Sequence, residues 1–178
     1  MNASPTPLGE ADLMARLADL GVETETVRHP PLHTVEESRR LRGDMPGGHA
    51  KNLFLKDRRG QLWLVVARED VRVDLNRLDR RIGAARLSFG RPELLAEVLG
   101  VQPGSVTPFA LINDPGGRVR LVLDSGLLAL DPLHFHPLDN RATTRISAAD
   151  LLRFVAATGH PPLLVDLAAA DAPVPQAL

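Results

Sequence analysis

Apolar positions along this chain alternate between a helical period and a period of two, and glycine or proline stands at most of the switches. Over residues 7–20, Leu8, Ala11, Met14, Leu17 and Ala18 form one stripe, which predicts an amphipathic helix capped by Thr6, opened by Pro7 and ended by Gly21. Residues 22–28 read as a strand broken by His29-Pro30-Pro31, and Thr34-Val35-Glu36-Glu37 matches a capping box for a short helix through Leu41. Residues 52–56 and 61–67 predict two strands joined by the hairpin turn Asp57-Arg58-Arg59-Gly60. Asp74 caps a helix carrying Leu75, Leu78 and Ile82, residues 86–89 predict a brief strand, and a further helix runs from Pro92 to Gly100. A second hairpin is expected between residues 109–113 and 118–124, across Asp114-Pro115-Gly116-Gly117. Short strands at 133–136 and 142–144, a helix from Ser147 to Gly159 and a strand at 163–166 complete the pattern, with residues 168–178 as a frayed tail. Hairpins outnumber strand-helix-strand units, so the expected fold class is α+β, a mainly antiparallel sheet with helices packed around it, in one domain over residues 1–178.

Composition narrows the chemistry. A chain of 178 residues that is 44% hydrophobic is long enough to bury a real core. No apolar run approaches the roughly 20 residues of a membrane span, and the first residues show neither a basic nor an apolar leader, so a cytoplasmic protein without membrane association is expected. With no cysteine there is no disulfide, thiolate nucleophile or cysteine zinc site. The net charge of −1 argues against broad, sequence-blind nucleic-acid binding. Local clusters at Arg39, Arg40 and Arg42, at Arg58 and Arg59, and at Arg77, Arg80, Arg81 and Arg86 still allow a small phosphate contact.

Of 21 basic residues 19 are arginine, and both lysines fall in Lys51-Asn52-Leu53-Phe54-Leu55-Lys56. An ammonium is a compact point donor on a flexible stem, whereas a guanidinium is a wide planar fork. The lysines differ in parity and point to opposite faces of a strand. Lys51, which follows the glycine-rich approach Gly43-Asp44-Met45-Pro46-Gly47-Gly48-His49-Ala50, is the functional candidate, and Lys56 reads as a surface charge. Gly104-Ser105-Val106-Thr107-Pro108 can aim several N–H groups at one oxygen. His134 and His136 share a strand face and would need a third ligand to hold a metal, and no metalloprotease-type spacing accompanies them, so a role without metal is favoured. Ser38, Ser88, Ser105 and Ser125 lack a nucleophile elbow, and no P-loop or dinucleotide fingerprint occurs.

Taken in order, His29-Pro30-Pro31-Leu32-His33-Thr34-Val35-Glu36-Glu37, Lys51-Asn52-Leu53-Phe54-Leu55-Lys56-Asp57, Arg86-Leu87-Ser88-Phe89, the residues from Gly104 to Asp114, Phe135-His136-Pro137-Leu138-Asp139-Asn140, and finally Phe154 and Gly159-His160-Pro161-Pro162 resemble the YbaK and prolyl-tRNA-synthetase editing-domain family. The resemblance covers about residues 8–167, and within the superfamily the chain looks most like the free-standing prolyl-tRNA deacylase branch, PrdX or ProXp-ala. It implies a curved mixed sheet surrounded by helices, no cofactor and no metal. It also implies hydrolysis of alanine wrongly esterified to proline tRNA, with the tRNA acceptor end and prolyl-tRNA synthetase as partners. Relatives with cysteine, serine or threonine specificity, and a non-catalytic module binding tRNA or the synthetase, are the alternatives. Lys51 is implied to engage the substrate's terminal backbone or phosphate. Gly104 and Ser105 are implied to support the ester carbonyl, while Val106, Thr107 and Pro108 bound the aminoacyl pocket. His136 is associated with that pocket, and Asn52 and Asn140 are its polar neighbours.

Overall fold

Residues 62–67 are apolar on both faces, and that double burial sets the architecture. The structure is a computed structural model that describes residues 6–31, 36–37, 40 and 45–169. Its strands are β1 (Glu25–Arg28), β2 (Gly48–Asp57), β3 (Leu62–Arg68), β4 (Leu87–Phe89), β5 (Val119–Asp124), β6 (Leu133–Phe135), β7 (Ala142–Ile146) and β8 (Leu163–Val165). They form one mixed sheet in the order β1-β7-β6-β2-β3-β5-β8, with β4 also paired to β2. The helices are α1 (Glu10–Asp19), α2 (Leu75–Ile82), α3 (Pro92–Leu99), α4 (Ser125–Leu128) and α5 (Ala148–Ala157), with a 3-10 helix at Pro108–Asn113.

On β3, Leu62, Leu64 and Val66 face a core built from α1, α3, α5 and the 3-10 helix, including Leu13, Leu99, Phe109 and Phe154. Trp63, Val65 and Ala67 face a second, smaller core with Leu78 and Ile82 of α2. The pleat therefore sends alternate side chains of one strand into two separate apolar layers. The Asp57 carboxylate holds the β2–β3 turn, accepting hydrogen bonds from the N–H groups of Arg59 and Gln61 and from Trp63 Nε1.

Two expectations are corrected here. Residues 109–113 are not a hairpin strand. Thr107 Oγ1 accepts from the Phe109 N–H, Pro108 occupies the first turn, and the segment forms the 3-10 helix. Residues 108–112 are buried throughout, so a segment with one solvated face is excluded, and β5 instead pairs in parallel with β3. The first helix starts at Glu10 rather than Pro7, because the Asn113 side chain bonds both N–H and C=O of Leu8 and the N-cap Gly9 is extended. The Asp12 carboxylate then accepts from the Gly9 N–H and caps the helix. Four strand pairings are antiparallel and three parallel, so the α+β class holds with a more evenly mixed sheet than hairpin counting suggests. The capping box at Thr34 and the tail beyond residue 169 lie outside the described residues. Among the described residues, no helix is long and apolar enough to cross a membrane.

Candidate active site

The edge of β2 opposite β3 has an opening in it. Along that edge β6 pairs with Gly48 and His49, and β4 pairs with Leu55, Lys56 and Asp57. Phe54 O accepts from the Gly90 N–H, which leaves residues 50–53 without a strand partner there among the described residues. Gly47 and Gly48 make the β6 pairing possible. A Cβ on Gly47 would lie 2.3 Å from Pro132 O, and one on Gly48 2.7 Å from Leu133 Cδ2. The glycine-rich approach is thus required by close packing against β6.

Because β6 runs parallel to β2 and pairing ends at His134, residues 136–140 leave the sheet beside the opening. This loop reaches the 104–108 turn, where a Cβ on Gly104 would lie 3.9 Å from Asn140 Nδ2. Residues 136–140 and Gly104 therefore belong to one neighbourhood, and the loop leaves β6 beside the unpaired stretch of β2 that holds Asn52, about half the chain away in sequence. The Asn52 side chain stands on the same face as Ala50 and Phe54, toward the larger core. Its Oδ1 is buried and has no hydrogen-bond partner among the described residues. An unsatisfied buried acceptor costs about 1–3 kcal/mol, so this atom is a place for a donor. Sequence reasoning gave Asn52 only a supporting role; its orphaned oxygen follows from the missing strand and leaves no trace in the local pattern.

Lys51 lies on the other face, with Leu53 and Leu55, and is half-buried. Its ammonium is near the Arg68–Asp70 pair. Asp70 is held below the ordinary carboxylate range first by its hydrogen bond from Arg68 and to a smaller degree by Lys51. Lys51 and Asn52 thus reach the opening from opposite faces of the sheet.

The 104–108 turn divides its duties residue by residue. Gly104 is exposed with φ +93°, a conformation that disfavours any side chain. The Ser105 N–H donates to Gln102 O at 2.9 Å and its side chain is buried, so Ser105 is not available as an oxyanion donor. The N–H groups of Gly104 and Val106 carry no intramolecular hydrogen bond among the described residues and are the open donors of the turn. Val106 packs on the core, while Thr107 and Pro108 are buried and start the 3-10 helix, so these three fix the turn rather than line a surface.

His136 Nδ1 donates to Ala142 O at 2.8 Å, which sets the ring beside His29 at 6.0 Å between centroids. The His29 ring is itself held between Pro30 O and Thr143 Oγ1. His134 lies in a different arrangement. It stacks on His49 at 4.6 Å, and the two rings reach the carbonyls of Pro46 and Met45. Among the described residues, no group of three or more His, Asp or Glu is arranged to hold a metal ion.

In the loop itself, Leu138 has φ +69°, the one non-glycine residue with positive φ among the described residues. Such a position costs about 1–3 kcal/mol for a bulky residue and persists only where the surroundings impose it. Here Leu138 packs on the core, and Asp139 takes a bidentate grip from Arg141 plus the Arg141 N–H. Those bonds, the Arg141 side chain first, lower the Asp139 carboxyl to about 2. A depressed pKa stabilises the folded loop fully above the ordinary value of 3.8, and that contribution is lost as pH falls toward about 2. Removing the guanidinium by Arg141→Ala, which keeps the main-chain N–H bond, is expected to raise the Asp139 carboxyl part of the way toward 3.8 in an NMR titration. A carboxyl still titrating near 2 in that variant would assign the shift to something other than the Arg141 side chain.

A mixed sheet flanked by helices, with an amide on an unpaired stretch of one strand and a histidine loop that leaves the sheet beside it and reaches a glycine turn, defines the candidate site. Residues 29–154 match the aminoacyl-tRNA editing domain, and the chain belongs to that family. It is 40% identical over 161 residues to the prolyl-tRNA synthetase associated domain-containing protein 1 of Bos taurus, covering 88% of this chain and 94% of that one. It is 36% identical over 149 residues to the prolyl-tRNA editing protein ProX of Acetoanaerobium sticklandii, covering 83% and 91%. A crystal structure of a candidate trans-editing enzyme for prolyl tRNA synthetase superposes with a TM-score of 0.69 at 25% identity, covering 93% of this chain and 98% of that one.

Proposed function

We propose that this protein is a trans-editing deacylase that hydrolyses the ester between a wrongly attached amino acid, alanine above all, and the 3′ end of proline tRNA. The observation that carries this reading is the unpaired stretch of the β2 edge that holds Asn52, beside which the loop that reaches Gly104 leaves the sheet, in a chain of the editing-domain family. The names of the relatives from Bos taurus and Acetoanaerobium sticklandii point to the same tRNA system.

The chemistry needs little from the protein. Water adds to the ester carbonyl, the carbonyl oxygen becomes an oxyanion, and the bond to the ribose oxygen breaks as that oxygen takes a proton. The open N–H groups of Gly104 and Val106 receive the oxyanion. The buried Asn52 Oδ1 accepts from the substrate's α-ammonium. The Lys51 ammonium, arriving from the opposite face, holds the terminal phosphate. The adjacent ribose hydroxyl relays the proton, so no strong general base is required. Alanine is the expected substrate because a synthetase pocket made for proline rejects a smaller side chain by only about 1–3 kcal/mol per missing apolar group. A second, smaller site can then remove it.

The test is a deacylation series on tRNA(Pro) and its cognates charged with alanine, proline, cysteine, serine and threonine. Alanyl-tRNA(Pro) should turn over at least tenfold faster than prolyl-tRNA(Pro). Faster release of cysteine, serine or threonine would reassign the specificity. Tight binding of tRNA with no release of any amino acid would replace the enzyme by a binding module.

A further inference from the structure

Past the opening, β2 leads into a surface groove that the proposed chemistry leaves unused. It has a volume of about 1270 Å³ and runs along β4 and α3, with Lys56, Arg58, Arg86, Phe89 and Arg91 around it. The four cations are exposed, and none has an ion pair or side-chain hydrogen bond among the described residues. Arg28, Arg68, Arg141, Arg145 and Arg153, by contrast, all sit on carboxylates. The acidic groups of the groove are Glu93 and Glu97 on α3 and Asp57, whose carboxylate is buried and occupied by the turn and Trp63. Phe89 is 65% exposed. The backbone beneath it is fixed, since a Cβ on Gly90 would lie 2.4 Å from the Phe54 ring.

We propose that this groove holds the phosphodiester backbone of the tRNA acceptor arm, with Phe89 as a stacking face for a base. The inference rests on the function proposed above and names how its substrate is gripped. Lys56 lies four residues beyond Asn52 on β2 and shares its parity, so it stands roughly 13 Å from it along the same face. A stacked strand covers that distance in about four nucleotides at 3.4 Å each, the reach of an unpaired tRNA 3′ end. Unpaired forks and one point donor suit phosphate oxygens, and an exposed ring suits any base. A second copy of the chain is disfavoured at the free edge of β4, because edge cations oppose strand addition. A local cationic groove also reconciles RNA binding with a net charge of −1.

Binding of deacylated tRNA(Pro), followed by fluorescence anisotropy across a salt series, tests the groove without requiring turnover. Arg86→Glu combined with Arg91→Glu should weaken binding at least tenfold and flatten the slope of log affinity against log salt by about two. Phe89→Ala should weaken it about fivefold or more. Lys56→Glu, on a different element, should act in the same direction and guards against a folding defect in the double variant. Hydrolysis of an alanyl ester of adenosine, too short to reach the groove, should stay within about twofold. Unchanged tRNA affinity and salt slope in the charge-reversal variants would overturn the groove and leave the deacylase standing. Groove-dependent tRNA binding with no deacylation of any aminoacyl-tRNA would overturn the function and leave the groove. Altered self-association with unchanged tRNA affinity would give the surface to a second copy and overturn the RNA assignment.

Discussion

Lys51→Ala is expected to lower kcat/KM for alanyl-tRNA(Pro) by roughly tenfold to a hundredfold, while the melting temperature moves little. A hydrogen bond to a charged group is worth about 1.5–3 kcal/mol, and each 1.36 kcal/mol is tenfold in rate. The side chain is half-buried at the unpaired stretch of β2, and its nearby carboxylate Asp70 is already engaged by Arg68. Its loss therefore removes a cation from the site without orphaning a buried acid. Lys51→Arg should recover little of this, because a planar fork cannot follow the stem of a lysine through the gap between β6 and β4. Lys56→Arg should be nearly silent, since Lys56 is exposed and keeps its charge in that variant. The measurement is single-turnover deacylation of the three variants beside the wild type. Wild-type rates in Lys51→Ala would take Lys51 out of the mechanism.

Asp114→Ala should be the most destabilising single change, by about 3–5 kcal/mol in chemical denaturation, because three donors lose one acceptor and each buried unmet donor costs about 1–3 kcal/mol. Asp114 ends the 3-10 helix, and its carboxylate accepts from the N–H groups of Arg118 and Val119 and from His160 Nε2 at 2.9 Å. The His160 and Asp114 side chains are only 1% and 2% exposed, so water cannot replace the lost acceptor. The other ring nitrogen of His160 meets Thr158 Oγ1. This hydroxyl–imidazole–carboxylate row resembles a catalytic relay in outline, but it lies buried between α5 and β5. It fixes the end of the segment that begins at the 104–108 turn. The variant should therefore lose activity in parallel with stability. A loss below about 1 kcal/mol would show that the three donors find other acceptors.

The local pattern was sufficient for most elements. Two apolar runs either side of Asp57–Gly60 gave the β2–β3 hairpin, Asp74 and Ser147 are helix caps in the structure, and Gly100 ends its helix in the left-handed region. It failed at residues 109–113, where an apolar run could be strand or helix. There a threonine cap, a first-turn proline and burial on every side chose the 3-10 helix. It failed again at Pro7, where a side chain 105 residues away in sequence ties the backbone of Leu8 outside the helix.

The ordered motifs also placed the chain in its family and named Lys51, Asn52, Gly104, His136 and Asn140 before any neighbour was known. Which of their groups are open, and on which face each stands, was decided only by the tertiary structure. Whether an N–H is open depends on what lies opposite it, so Ser105 is tied to Gln102 while Gly104 and Val106 remain open. A strand also has no opening until its neighbours are placed. The interval between β6 and β4 turns Lys51 and Asn52 from consecutive strand residues into two arms reaching one gap from opposite faces. Sequence carries the periodicity and the residue types, which are local; pairing, burial and unmet hydrogen bonds are properties of elements brought together from distant parts of the chain.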